Sequence, residues 1–483
     1  MRIGVFICHC GLNIAGTVAV DDVAERLRVY PGVAYATTYR YMCSDPGQEL
    51  IKEAIASHKL DGVVVAACSP AMHEVTFRRA VAATGLNPYR CEIANIREQC
   101  SWVHQNQREE ATVKATGIIA SLVEKVTRNQ ELTPLALPLV KRALVIGGGI
   151  AGLQAALDVA AAGYPVTLVE RDATLGGHMA RLAGTYVNFD NTHDVLASTI
   201  AAVSAHPLIT VHTNTDVAEV NGYVGNFAVT LHSTSLSEHD GAQPYGAIIV
   251  ATGYQLLDKR GLGEYGGGAI ADVVDGLEFE AMLAAPGGLR RPSDGKPPRE
   301  IVFIQCAGSR DPEHGVAYCS KVCCMTTAKQ ATLAQRIPGV QAHVFYIDIR
   351  SPGKGYDEFV QQAMADGVLY LRGKASRIFA EDGKVIVWGA DTLSGRSVEI
   401  PADLVVLATP MLPAPGAADL ARRLHIAADS YGFYSEAHPK LRPVESLTAG
   451  VYLAGAGQAP KDIPETIAQA GGAAAKVLAL FAR

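Results

Sequence analysis

The sequence predicts an α/β protein built on parallel sheets: an N-terminal α/β domain, then a split dinucleotide-binding domain with a second, similar domain inserted in it. Three observations carry this. Short apolar strand candidates alternate with helical patterns through residues 1–130, which implies a mainly parallel sheet. An apolar run at 143–146 leads into G-x-G-x-x-G and a helical pattern. At about 150 residues per domain, 483 residues predict about three domains. Hydrophobic residues make up 49% and charged residues 19%, a globular composition and not a disordered or fibrous one. Lys plus Arg number 42 and Asp plus Glu 48, a net charge of −6 without a basic stripe, so nucleic acid is not an expected partner.

Ile3–Ile7 reads as a strand, Val20–Val29 as a helix, Val33–Tyr39 as extended and Gln48–Ser57 as a helix. Gly62–Ala67, with three consecutive valines, is a buried strand. A helix from about Glu74 to Thr84 stops at Gly85, and residues 108–128 form one long helix. The expected organisation is a 1–130 domain, a Pro-containing linker at 131–140, a first dinucleotide-domain segment at 141–255, a Gly/Pro-rich connection at 256–300, an insert at 301–409 and a second segment at 410–483. Further strands are expected at Ile301–Gln305, Leu404–Ala408 and Val451–Ala454. No signal peptide is visible. The longest apolar stretch, Ala143–Val169, holds Gly147, Gly148, Gly149, Gly152, Asp158 and Pro165, so no transmembrane segment is expected. A cytoplasmic protein with reduced thiols follows.

In the fingerprint, Gly147 makes the tight turn, Gly149 admits a pyrophosphate to the backbone, and Gly152 lets helix and strand pack closely. The helix N-terminus adds N–H donors and partial positive charge. Glu170, 18 residues beyond Gly152, ends the next strand, where an acid accepts from ribose hydroxyls. Three later segments favour FAD over NAD. RDATLGGHMARL (Arg171–Leu182, including Gly177) resembles the flavoprotein segment after the ribose acid. The strand ending in Ala251-Thr252-Gly253, and Gly450–Gly455, resemble strands of two-dinucleotide-domain flavoproteins of the thioredoxin-reductase family. A helix starting near Pro464 would point its N-terminus at the flavin, with Asp462 and Glu465 as caps. The second glycine fingerprint of that family is absent, its place taken by a strand ending at Cys306.

Ten cysteines fall into two groups: Cys8, Cys10, Cys43, Cys68, Cys91 and Cys100, then Cys306, Cys319, Cys323 and Cys324. Clustered thiols in a reducing compartment point to metal or redox centres. The spacings of 13, 4 and 1 in the second group are not C-x-x-C, and adjacent cysteines bridge each other only with strain. An iron–sulfur cluster, zinc, and a redox disulfide or inert thiols all remain open from spacing alone.

Three blocks resemble the A subunit of heterodisulfide reductase. The first comprises GVFICHCGLNIAG (Gly4–Gly16), YMCSDPGQELI (Tyr41–Ile51), VVVAACSPAMHE (Val63–Glu74) and NIREQCSWVH (Asn95–His104). The second comprises QCAGSRD (Gln305–Asp311), YCSKVCCMTTAKQA (Tyr318–Ala331) and YIDIRSPGKGYDEF (Tyr346–Phe359), and the third is AGAGQAPKDIPETIAQA (Ala454–Ala470). The resemblance implies FAD and two 4Fe–4S clusters. One would be held by Cys306, Cys319, Cys323 and Cys324. The other would be held by Cys10, Cys43, Cys68 and Cys100, with Cys8 in reserve. It implies that Lys329 approaches the flavin as the catalytic-site cation; Arg350 and Lys354, in a Gly/Pro loop after a strand, are candidates for contact with flavin or a partner. It implies electron transfer, with flavin-based bifurcation as its further form, in a homodimer within a larger complex of heterodisulfide-reductase-like subunits. Longer members carry C-x-x-C-x-x-C-x-x-x-C insertions that this chain lacks, which points to a partner subunit for the rest of the electron path. Two rival readings stand beside it. One is a pyridine-nucleotide-disulfide oxidoreductase using Cys323 and Cys324; the other is a non-catalytic flavin-binding adaptor with zinc at the cysteines.

Overall fold

The computed structural model describes residues 1–134, 136–233 and 241–482, so Leu135 of the expected linker lies outside the described residues. The chain divides into two compact units, Met1–Leu137 and Pro138–Arg483.

The first unit runs β1 (Ile3–Cys8), α1 (Leu12–Ala15), α2 (Val20–Arg28), β2 (Val33–Tyr39), α3 (Asp45–His58), β3 (Gly62–Ala67), α4 (Pro70–Ala82), β4 (Cys91–Asn95) and α5 (Arg108–Arg128). The strands form one parallel sheet in the order β2-β1-β3-β4. Every residue of β1 and β3 is buried, as expected of strands covered on both faces. Ile3, Val5, Ile7, Val64 and Ala66 pack with α2 and α5 on one face. Phe6, Val63, Val65 and Ile93 pack on the other with Ile51 of α3 and Phe77 of α4. Helix α4 starts earlier than its apolar pattern indicates, because Ser69 caps it by accepting from Ala71 N–H and Pro70 occupies the first turn. Strand β4 and a π-helical turn at Arg97–Ser101 were not legible from the pattern. Parallel strands put all four carboxyl ends on one edge, which gathers the loops after β1, β2, β3 and β4.

The second unit begins β5 (Ala143–Ile146), α6 (Ile150–Ala161), β6 (Val166–Val169), α7 (Thr192–Ala205), β7 (Ile209–His212), β8 (Thr215–Tyr223), β9 (Asn226–Ser233), β10 (Gln243–Tyr245), β11 (Ala247–Val250) and β12 (Tyr254–Leu256). It continues β13 (Val273–Asp275), α8 (Gly276–Ala284), β14 (Glu300–Ile304), α9 (Cys323–Gln335), β15 (Gln341–Tyr346), α10 (Tyr356–Ala365) and β16 (Leu369–Arg372). It ends β17 (Ala375–Glu381), β18 (Lys384–Asp391), β19 (Arg396–Ala402), β20 (Leu404–Leu407), β21 (Met411–Pro413), α11 (Ala417–Leu424), β22 (Val451–Leu453) and α12 (Ile463–Phe481).

Two parallel five-stranded sheets result, β22-β11-β5-β6-β7 and β13-β20-β14-β15-β16. The chain leaves the first sheet after β11 and returns to it only at β22, so the second sheet is an insert between two halves of the first. The antiparallel pair β12–β21 ties the outgoing and returning segments together. The 256–300 segment does more than connect. It supplies β13, an edge strand of the second sheet, and α8, whose start Asp275 and Glu278 close in a reciprocal capping box. Its many glycines and prolines hid a three-residue strand. The antiparallel sheets β10-β9-β8 and β17-β18-β19 were likewise not foreseen.

Candidate functional site

A cavity of about 1060 Å³ opens at the carboxyl ends of β5 and β11 in the second unit. Gly147, Gly149, Glu170, Gly177, Thr252 and Gly253 line it, as do Cys323 and Lys329 of α9. A Cβ on Gly147 (φ 111°) would lie 2.4 Å from the Ala251 carbonyl oxygen, and one on Gly152 only 1.8 Å from the Gly147 carbonyl oxygen. The space at Gly149, by contrast, is open. The backbone is therefore closed against its own strands and helix but free on the cavity side. Glu170 is buried at the end of β6 and accepts from Gly148 N–H at 2.6 Å and Asp172 N–H at 2.9 Å, which fixes the turn. Gly455 (φ 73°) does not face the cavity: its N–H donates to Gln469 Oε1, and a Cβ there would meet Ala151 of α6. Two buried polar atoms in the lining, Thr409 Oγ1 and His178 Nδ1, have no partner in the protein. A cradle shaped by glycines, an acid at the second strand end and orphaned polar atoms in the wall fit a dinucleotide cofactor.

Lys329, on α9, is buried with its Nζ donating to the Gly184 carbonyl at 2.7 Å and to the Glu280 carboxylate at 2.7–2.8 Å. Burial lowers its pKa, opposed by Glu280. Glu280 is fully buried on α8 and also accepts from Ala183 N–H and Gln330 Nε2. Nothing in the apolar pattern of 276–284 singled it out.

At the far wall, Asp462 and Glu465 close a capping box at the start of α12, and Tyr356 donates to Asp462 at 2.8 Å. Lys461, missed in the sequence, lines the cavity just before them. Burial lowers its ammonium from 10.5 to about 8, opposed by Glu465. A depressed lysine binds its proton more tightly unfolded, so its destabilising effect is complete below pH 8 and fades up to 10.5. Lys461→Met is therefore expected to be more stable than the native chain at pH 7, with the gap narrowing between pH 8 and 10.5 in urea titrations.

Cys306 follows β14, while Cys323 and Cys324 open α9. The structure brings these three together with Cys319: each of Cys306, Cys323 and Cys324 is raised by the charge of Cys319 among its neighbours. Desolvation is the larger cause, and it pushes Cys324 up to about 11. Cys306, Arg310 and Lys321 all adopt positive φ (57°, 58° and 63°), a concentration of backbone strain around the thiols. Arg310 donates to Asp348 at 2.5 Å and lowers Cys306. Arg350 pairs with Asp348 at 3.5 Å; neither it nor Lys354 lines the cavity.

In the first unit, Cys8, Cys10, Cys43 and Cys68 lie at the carboxyl ends of β1, β2 and β3. The charges of Cys10 and Cys43 raise both Cys8 and Cys68, again behind desolvation, which takes Cys68 to about 12. Cys100 is not brought to this set. Its thiol donates to the Ala111 carbonyl at 3.1 Å and packs among α2 and α5, on the opposite face of the sheet from Cys8 and Cys68. The π turn after β4 swings it there, a rotation that spacing does not reveal. Cys91, at the entering end of β4, is remote from that edge. His104 is engaged by Gln107 and Lys114.

Among the described residues no group of three or more His, Cys, Asp or Glu side chains is arranged to hold a metal ion, and no helix is long and apolar enough to cross a membrane. Residues 141–282 match the pyridine nucleotide-disulphide oxidoreductase family model. The chain is 41% identical to the first of two CoB–CoM heterodisulfide reductase iron-sulfur A subunits of Methanopyrus kandleri, covering 99% of this chain and 84% of that protein. It is also 41% identical to the corresponding iron-sulfur A subunit of Methanocaldococcus jannaschii, covering 99% and 85%. The first alignment runs over 563 positions, more than this chain's 483 residues, so that relative carries extra residues within the matched region. Among solved structures, Lactococcus lactis thioredoxin reductase is similar over 71% of this chain and 99% of that one, at 15% identity and a TM-score of 0.48. On the strength of its whole-length identity to these relatives, the chain belongs to the family of heterodisulfide reductase A subunits, which are oxidoreductase components.

Proposed function

We propose that this oxidoreductase subunit holds FAD and two 4Fe–4S clusters and transfers electrons within a heterodisulfide-reductase-like complex. One observation carries the reading: α9 presents Cys323 and Lys329 to the wall of the dinucleotide cavity, while Cys306, Cys319 and Cys324 gather beside Cys323. Gly147, Gly149, Gly152, Glu170, Gly177, Thr252 and Gly253 would hold FAD, with Gly455 packing its helix. Cys306, Cys319, Cys323 and Cys324 would hold one cluster. In the first unit Cys10, Cys43 and Cys68 would hold the other, with Cys8 replacing Cys100 as fourth ligand. A bound flavin exchanges electrons in pairs or singly, and an iron–sulfur cluster singly.

The residues supply the setting for this. Desolvation keeps the free thiols protonated, so loading a cluster must release protons. Lys329 and Glu280 place a buried ion pair at the cavity wall, and its ammonium is the group that would favour a reduced, anionic flavin. The absence of a second glycine fingerprint supports other subunits, rather than a nicotinamide bound at the insert, as donor and acceptor. The relatives are each one component of a heterodisulfide reductase, which supports such partners. A homodimer within the complex and flavin-based bifurcation are the further forms of this reading.

The test is iron, acid-labile sulfide and flavin per chain after anaerobic purification, with about eight, eight and one expected for two clusters and one flavin. Cys8→Ser is expected to lose about half the iron and Cys100→Ser almost none. FAD without iron after reconstitution would overturn the reading and favour disulfide chemistry at Cys323 and Cys324.

A further inference from the structure

We infer that Arg97 sets the reduction potential of the proposed cluster in the first unit, as a buried cation held against its sulfurs. The inference rests on the two-cluster reading. Arg97 opens the π turn after β4, so that turn aims it back over the carboxyl edge of the sheet. Its guanidinium is buried, with Nη1 3.4 Å from Cys10 Sγ and Nη2 2.8 Å from both Glu98 Oε1 and Met72 Sδ. Its charge reaches Cys43 and Cys68 as well. The Trp102 ring lies 4.8 Å from the guanidinium carbon and covers it from outside.

Glu98 could cancel this charge, but it sits farther out: its side chain is 26% exposed against 10% for Arg97. At Cys68 the effect of Arg97 exceeds the opposing effect of Glu98, and it is Arg97 that contacts Cys10 Sγ.

A second observation points to an occupant. Three buried polar atoms of this edge have no partner in the protein: Arg97 Nε, His9 Nε2 and Glu98 Oε2. Arg97 Nε–H is an obligatory donor, and leaving it dry and unpaired is costly. His9 lies in the chain between Cys8 and Cys10. A cluster's inorganic sulfides would accept from the Arg97 Nε–H.

One-electron reduction adds one negative charge to a cluster, with no bond made or broken. A buried guanidinium stabilises the reduced form more than the oxidised one and raises the potential. Loss of Arg97 makes the cluster harder to reduce; loss of Glu98 makes it easier. A merely structural residue would not give opposite signs at neighbouring positions.

The experiment is a potentiometric titration, followed by electron paramagnetic resonance, of the full-length holoprotein and of Arg97→Gln, Arg97→Lys and Glu98→Gln. Cys10→Ser identifies which of the two transitions belongs to the first unit. In Arg97→Gln that transition is expected to move to lower potential. Its equilibrium constant for reduction should fall about tenfold to hundredfold, the range of one buried charge-assisted hydrogen bond. Arg97→Lys should fall less, Glu98→Gln should move the opposite way, and the other transition should stay in place. Full iron with an unmoved transition in Arg97→Gln overturns the inference. So does equal iron loss in Arg97→Gln and Arg97→Lys with the remaining signal unshifted, which makes Arg97 a structural residue. An iron count unchanged in Cys10→Ser overturns the cluster reading itself, and this inference with it.

Discussion

Lys329→Met is expected to destabilise the second unit by about 3–5 kcal/mol, the cost of leaving one member of a buried ion pair uncompensated. Lys329 is 2% exposed and Glu280 0%, so water cannot replace the lost partner. In the variant the Glu280 carboxylate keeps only the Ala183 N–H and the Gln330 amide as donors. Two neutral hydrogen bonds do not offset the desolvation of a charge. Urea unfolding at pH 7 measures the deficit. Lys329→Met/Glu280→Leu removes both charges and should recover a large part of the loss. A single-variant loss below about 1 kcal/mol would mean that the pair is solvated in solution, as exposed pairs are.

Gly152→Val is expected to abolish flavin retention. An ideal Cβ at that position falls 1.8 Å from the Gly147 carbonyl oxygen and 3.0 Å from its carbonyl carbon, with the Val145 side chain next at 3.3 Å. The first obstacle is backbone, so no side-chain rotation relieves it. The start of α6 must separate from the turn after β5. That displaces both the open face at Gly149 and the Gly148 N–H that Glu170 accepts. Flavin per chain should fall from about one to near zero, while the iron of the first unit is retained because its thiols lie in a separate compact unit. Glu170→Ala is the sterically harmless companion. It removes the acceptor for Gly148 and Asp172 without adding an atom, and it should weaken flavin retention without abolishing it. Full flavin content in Gly152→Val would show that the cofactor does not use this turn.

The sequence by itself determined the parts governed by local rules. Three consecutive β-branched valines at 63–65 favour a strand buried on both faces, and β3 is that strand. Glycines at 147, 149 and 152 between a strand and a helix demand a tight turn with one open side, and the turn is there. Asp462 and Glu465, three apart before an apolar run, close as a capping box. The short strands β4, β13 and β16 were less legible, because three to five residues carry too little periodicity to separate from a loop.

What only the tertiary structure decided is which side chains meet. Glu280 gives no local signal; it becomes the partner of Lys329 because α8 of the 256–300 segment packs against α9. Lys461 reads as an ordinary polar residue until α12 and the cavity enclose it. Cys8 shares a face of the sheet with Cys68 while Cys100 packs on the other, because pleat and turn geometry, not spacing, assign a side chain to one face of a sheet. Local propensity acts over a few residues, whereas a buried charge or thiol is defined by atoms that the fold brings from 49 to 87 residues away, as with Lys329 and Glu280 or Arg97 and Cys10.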